Sequence, residues 1–179
     1  MMLTDSDILK HRRDGFIEIT PWFEENLGSN SYDLTLSKNL LVYTEKSLDC
    51  KKDNPTKHIV IQDSGFTLLP GELYLGSTVE FTKTHPKLMA NIEGKSSIGR
   101  LGICIHLTAG FGDCGFSGHW TLELTCVKPV TIYAGMPIAQ IYYFLALGQC
   151  ITPYHRKRNA KYSEQGSFPV PSAMHKNFI

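Results

Sequence analysis

Apolar and polar residues alternate along most of this chain with a repeat of two, the period of a strand with one buried face. The pattern predicts strands at "FIEIT" (Phe16–Thr20), "YDLTL" (Tyr32–Leu36), "LLVYT" (Leu40–Thr44) and "HIVIQ" (His58–Gln62). It continues through "FTLLPGELYLG", with a turn at Pro70-Gly71, and through "STVEFTK", "LMANIEG", "ICIHLTA", "HWTLELTC", "VTIYAG" and "IAQIYYFLAL". One segment departs from it. Thr4–Arg13 reads as a short helix, with Thr4 or Asp5 to cap it, Ile8 and Leu9 as its apolar edge and Gly15 to stop it. About ten short strands with turns between them and a single helix predict an all-β barrel or jelly roll, not βαβ units.

Two stretches fall outside the alternation. "TEKSLDCKKDNPTK" (Thr44–Lys57) is a polar loop or hairpin tip. From Pro153 onward, Arg156, Lys157, Arg158, Lys161 and Lys176 stand against a single acid, Glu164. A segment this polar buries no core of its own. It is either a loose terminus or a basic flap that orders over an anion. The expected organisation is a barrel over residues 1–152 and a lid over 153–179 of the same domain.

Composition narrows the class. At 179 residues, 42% hydrophobic and 20% charged, the chain suits one soluble domain with a core large enough to need no staples. A formal net charge of +1 argues against a nucleic-acid partner. The longest apolar run, "IYYFLAL", is far short of the ~20 residues that span a bilayer. No signal-type segment is visible, so no membrane association and a cytoplasmic location are expected. The five cysteines (Cys50, Cys104, Cys114, Cys126 and Cys150) include no CxxC pair and fit reduced thiols. Cys104 and Cys126 lie in strand-like stretches and are expected to be buried; Cys114 lies in a glycine-rich loop.

"GKSSIGR" (Gly94–Arg100) concentrates a lysine, two hydroxyls and an arginine. It is not a P-loop, because Met89 stands where the first glycine is required and no βαβ unit follows. It is not a nucleophile elbow either, since Ile98 takes the last glycine position. The histidines never fall at HxH, HxxxH or HExxH spacing, and HxE followed by PCxxC does not occur, so no zinc site is expected. What remains is Glu93–Thr125. Alternation there sends Trp120, Leu122 and Leu124 to one face and Thr121, Glu123 and Thr125 to the other. A glutamate on a rigid strand is a good general base if a cation and a hydroxyl position its water, and Arg100 and Ser96 are the candidates. Standing alone, it would read sooner as a solvated strand residue than as a base.

The same segment resembles the dCTP deaminase family of the trimeric dUTPase-like superfamily. The resemblance rests on "GKSSIGRLG", "HLTA", "DCGFSG" and "TLEL" in order, with "SYDLTLS" upstream and "YHRKRNAKYSEQG" downstream. It implies a distorted jelly-roll β-barrel assembled as a homotrimer, active sites at subunit interfaces, and deamination without a zinc-bound water. By position, it implies that Glu123 shuttles the proton and that Ser96 and the backbone of Ala109 hold the water. Arg100 would offset developing charge. It further assigns Lys95 and Ser97 to the triphosphate, Asp113 to the sugar, Thr121 and Leu122 to the base, and Tyr154, Lys161 and Gln165 to a closing lid. Magnesium would arrive with the nucleotide. The implied substrate is dCTP, with dUTP as the alternative substrate and dTTP as a candidate inhibitor.

"TAGFGDCGF" resembles the members that go on to release dUMP, whereas the "RKRNAKY" lid looks closer to those that stop at dUTP. Gly112 and Cys114 replace a usual aliphatic residue and a usual proline or alanine, and are expected to loosen the loop carrying Asp113. The dUMP-forming reading is favoured. The alternatives are a dUTP-forming deaminase, a dUTP diphosphatase, and a nucleotide-sensing barrel without catalysis. The tail lacks the glycine-rich ending of the diphosphatases, and Ser96, Arg100 and Glu123 are all present.

Overall fold

A computed structural model describes residues 1–178. Helix α1 (Asp5–Arg13) opens the fold. The Thr4 backbone N–H and hydroxyl both donate to the Asp7 carboxylate, at 3.1 and 2.9 Å, tying down the first turn. These hydrogen bonds, the backbone one foremost, hold the Asp7 carboxyl below its ordinary range. Gly15 ends the helix in the left-handed region, at φ +74°.

The strands follow as β1 (Ile17–Thr20), β2 (Tyr32–Thr35), β3 (Asn39–Tyr43), β4 (Thr56–Val60), β5 (Phe66–Leu68), β6 (Tyr74–Ser77), β7 (Phe81–Thr84) and β8 (Leu88–Gly94). A one-turn helix, α2 (Ser96–Gly99), precedes β9 (Ile103–Cys104), β10 (Phe111–Gly112), β11 (Ser117–Gly118), β12 (Thr121–Cys126), β13 (Val130–Ile132) and β14 (Pro137–Leu145). They pair as β1–β7–β11, β10–β8–β14–β2, β4–β3–β6–β12–β9 and β13–β5. Neighbours in a sheet are mostly distant in sequence, which is a jelly-roll-like arrangement. The turn at Pro70-Gly71 forms, but its flanking strands pair elsewhere, β5 with β13 and β6 with β3 and β12. None of the helices among the described residues is long and apolar enough to cross a membrane.

Several expected boundaries shift. β4 begins at Thr56, two positions before "HIVIQ". "STVEFTK" divides, with Ser77 closing β6 and β7 starting at Phe81. "ICIHLTA" keeps ladder geometry only at Ile103–Cys104. Cys126 is buried, as expected, but Cys104 is exposed. The physical reason is register. Cys104 pairs with Thr125, a residue of the outward-facing row of β12, whereas Ile103 pairs with the inward-facing Cys126.

The core is built from the inward rows of β2, β8, β12 and β14. Tyr32 and Leu34, Ala90 and Ile92, Leu122 and Leu124, and Ile141 and Tyr143 are all at most 1% exposed. Each large aliphatic side chain so buried contributes roughly 1.5–3 kcal/mol. This layer backs β12 and holds its outward row still. Glu80 breaks the apolar pattern. It is 0% exposed, and its carboxylate accepts from the Thr35 backbone N–H at 2.8 Å and the Thr35 hydroxyl at 2.7 Å. Burial pushes its carboxyl above the ordinary value. It ties the β6–β7 connection to β2.

Candidate active site

β12 carries the centre of the site. Leu122, Leu124 and Cys126 point inward, and Thr121, Glu123 and Thr125 face out, half-buried. The Glu123 backbone N–H donates to the Ile105 carbonyl at 2.8 Å, and its side-chain Oε2 accepts from the Leu107 backbone N–H at 2.8 Å. The carboxylate therefore keeps a fixed orientation and one oxygen without a protein partner among the described residues. The loop that supplies Leu107 is pinned from below. The Gly110 carbonyl accepts from Ile92 N–H at 2.8 Å, and the His106 ring lies against Gly110 where any side chain would collide.

Glu123 opens into a cleft of about 540 Å³. Of the residues singled out from sequence, Ala109, Asp113, Thr121, Tyr154 and Gln165 line it with Glu123. Leu107, Phe111, Trp120 and Tyr162 add apolar walls, the usual composition of a small-molecule site. Leu122 is fully buried beneath the floor, so its side chain belongs to the core. Lys161 is half-buried on the tail, outside the lining.

The tail lies across this cleft, and its lysines explain little of its attachment. Tyr154 N–H donates to the Cys114 carbonyl at 2.9 Å, and Glu164 N–H donates to Ser117 at 2.7 Å. Gln165 pairs with Gly118 as an isolated parallel bridge. Gly118 has to be glycine there, because a Cβ would sit 2.7 Å from the Gln165 nitrogen. The Thr121 hydroxyl oxygen accepts from the Gln165 amide at 2.6 Å and from Val170 N–H at 3.0 Å. Farther on, Tyr162 and Tyr43 hydroxyls accept from Ala173 and Ser172 N–H groups. The tail beyond Pro153 is thus folded back on the sheets of its own chain.

The Asp113 loop is clamped rather than loosened, contrary to the expectation drawn from Gly112 and Cys114. Gly112 is buried in β10 opposite Ala90, and a Cβ there would meet the Trp120 ring at 2.5 Å. Its absence makes room for the indole; backbone freedom is not what it supplies. Asp113 itself accepts from Lys157 Nζ at 2.9 Å, and the hydrogen bond and charge of Asp113 raise the Lys157 pKa above its ordinary value.

The other half of the motif lies elsewhere. Ser96, Ser97 and Arg100 are exposed on and just after α2, and none of them lines the cleft. Lys95, at the N-cap of α2, is ion-paired with Asp33 of β2. Leu107, Asp33, Lys157 and Glu80 went unassigned in the sequence. Lys157 was marked only by its place in the basic run, Asp33 by its place in "SYDLTLS", and Glu80 by nothing, since it sits in ordinary strand alternation.

This chain matches the family described as dCTP deaminase-like over residues 2–146. It belongs to that family. A relative from Clostridium botulinum (strain Eklund 17B / Type B), named "dCTP deaminase, dUMP-forming", is 46% identical over 178 residues, covering 99% of each chain. A relative of the same name from Leptospira biflexa is 47% identical over 178 residues, covering 99% of this chain and 98% of its own. Among solved structures, 2'-deoxycytidine 5'-triphosphate deaminase from Agrobacterium tumefaciens superposes with a TM-score of 0.65 over 81% of this chain at 18% identity. This chain spans about half the length of that one, 48% of it, and the likeness bears on the fold.

Proposed function

We propose that this chain hydrolyses dCTP twice at one site, deaminating the base and cleaving the phosphates, so that dCTP and two waters give dUMP, ammonia and diphosphate. The Glu123 carboxylate carries the reading: it is fixed by the Leu107 N–H in a cleft that the tail helps to line, in a family whose full-length relatives bear the dUMP-forming name. A carboxylate so held takes a proton from water as the oxygen adds to C4 of the cytosine, and returns it to the departing amine. In this reading Ser96 and the Ala109 backbone hold the water, and Arg100 offsets the charge that develops beside it. Lys95 and Ser97 meet the triphosphate, Asp113 the sugar, and Thr121 and the Leu122 backbone the base. Residues 153–179 act as a lid through Tyr154, Lys161 and Gln165.

The substrate enters as its magnesium complex. Asp33 and Asp113 are each already paired with a lysine, which suits an ion delivered by the phosphates. The exposed position of Ser96, Ser97 and Arg100, away from the cleft of their own subunit, supports a homotrimer. In it, α2 of one protomer completes the Glu123 cleft of the next. A cytoplasmic location goes with this reading.

The test is to incubate the purified protein with dCTP and magnesium and to separate the products. Ammonia, dUMP and diphosphate in equal amounts are expected. Accumulation of dUTP would remove the phosphate cleavage, and release of no ammonia would remove the deaminase.

A further inference from the structure

Lys157 is a charged group beside the cleft that the proposed reaction leaves without a task. It follows the short helical turn Tyr154–Arg156 at the root of the tail. Its Nζ donates to Oδ2 of Asp113 at 2.9 Å. Among the described residues it is the one cation of the tail with a carboxylate partner. Asp113 lines the cleft and Lys157 does not, so the lysine acts on the cleft through Asp113. The backbones on both sides of the pair are held. Tyr154 N–H donates to the Cys114 carbonyl at 2.9 Å, Lys157 N–H donates to the Tyr154 carbonyl at 3.0 Å, and Phe116 N–H donates to the Asp113 carbonyl at 3.0 Å. Gly115 packs so closely on Pro153 and His155 that a Cβ would lie 3.0 Å from each. The ammonium also lies 5.8 Å from the centre of the Tyr154 ring. It engages one carboxylate oxygen of Asp113, and Oδ1 has no protein partner among the described residues.

We propose that Lys157 is a positioning residue for the sugar. It fixes the Asp113 carboxylate so that Oδ1 is left to accept from the 3'-hydroxyl of the nucleotide, and so makes the site selective for a substrate that carries that hydroxyl. The inference rests on the reading above, in which Asp113 meets the sugar. A hydroxyl donated to a carboxylate is a charge-assisted hydrogen bond, and its loss weakens binding about ten- to a hundredfold. That gain is realised only if the carboxylate is already in place. The Asp113 side chain is 36% exposed, so without its lysine it would turn freely in water, and the nucleotide would have to stop that motion. Holding one such side chain beforehand improves affinity about two- to tenfold. The ammonium also offsets the charge of Asp113 beside a polyanionic substrate, an effect that acts on every nucleoside triphosphate alike.

The test compares dCTP with 2',3'-dideoxycytidine 5'-triphosphate, which lacks only the 3'-hydroxyl. Binding of each with magnesium is measured by calorimetry on the full-length protein carrying Glu123→Gln, so that turnover does not intervene. dCTP should bind at least about tenfold more tightly than the dideoxy nucleotide. Lys157→Met keeps the stem and removes the ammonium, and should lower that ratio about two- to tenfold. Lys157→Arg, which keeps a charged donor, should restore most of it. Added to Asp113→Asn, Lys157→Met should lower the ratio no further, because its effect runs through that carboxylate. Effects on the phosphates or on closure of the tail act on both nucleotides and cancel in the ratio. A ratio that Lys157→Met leaves unchanged, including by equal losses for both nucleotides, would overturn the proposal. So would a ratio near one in the protein with native Lys157. Ammonia release from dCTP is assayed separately with native Glu123, where its absence would remove the deaminase and leave the binding ratio to decide the role of Lys157.

Discussion

The two halves of the candidate site are built by different physics. Around β12, everything is over-determined. A fully buried row of leucines lies beneath, a backbone N–H holds the Glu123 carboxylate, and a tail hydrogen-bonded at Tyr154, Glu164, Gln165 and Val170 lies above. Around α2, a single helical turn carries Ser96, Ser97 and Arg100 into solvent, anchored by the buried Ile98 and by the Lys95–Asp33 pair. One half is preorganised within a subunit; the other has no cleft of its own. The difference teaches that one chain holds the Glu123 carboxylate in a built cleft while leaving the hydroxyls and the guanidinium of the other motif on its surface.

The comparison breaks most sharply at Glu123. Glu123→Gln keeps the shape and the Leu107 hydrogen bond but removes the base, so ammonia release from dCTP should fall at least about a thousandfold. Nucleotide binding, read by calorimetry, should survive. Near-normal turnover in that variant would remove Glu123 from the mechanism.

Next in size is Arg100→Ala, expected to lower turnover about a hundredfold with little change in melting temperature, because the side chain is exposed. Its informative use is in a mixture. If α2 serves a neighbouring cleft, inactive Glu123→Gln and Arg100→Ala proteins, dissociated and reassembled together, should regain part of the activity. Mixed trimers then contain some sites with both native residues. No recovery, with mixed trimers shown by native mass spectrometry, would place both groups in one subunit.

Two smaller effects probe the rigid half alone. Gly112→Ala forces a methyl into the Trp120 ring and should cost about 1–3 kcal/mol in denaturant unfolding. An unchanged midpoint would mean the indole has room to move. Tyr143 lies fully buried, and its hydroxyl has no hydrogen-bond partner among the described residues. Tyr143→Phe should be neutral or stabilising by up to about 1 kcal/mol, and a large loss of stability would reveal a partner for that hydroxyl.

Much of the rigid half could be read from residues alone, because strand alternation is local. Trp120, Leu122 and Leu124 turn inward and Glu123 outward for no reason beyond their spacing. The tight contacts could not. Gly112 meets Trp120 through side-chain packing that spacing does not encode, and the expectation of a loosened loop failed on that contact. Lys157 and Asp113 are 44 positions apart, and nothing in a run of tail cations says which of them finds a carboxylate. Cys104 was misjudged because pairing register, not membership of a strand, decides which face a residue takes.

By itself the sequence determined the β class, the capped opening helix, the outward face of Glu123 and the order of the family motifs, since each depends on residues within a few positions of one another. Only the tertiary structure decided that Asp113, Thr121, Tyr154 and Gln165 share one cleft with Glu123, that the tail folds back over it, and that α2 stays outside. Those outcomes depend on distant segments meeting, and which segments meet is set by packing and hydrogen bonding across the whole chain.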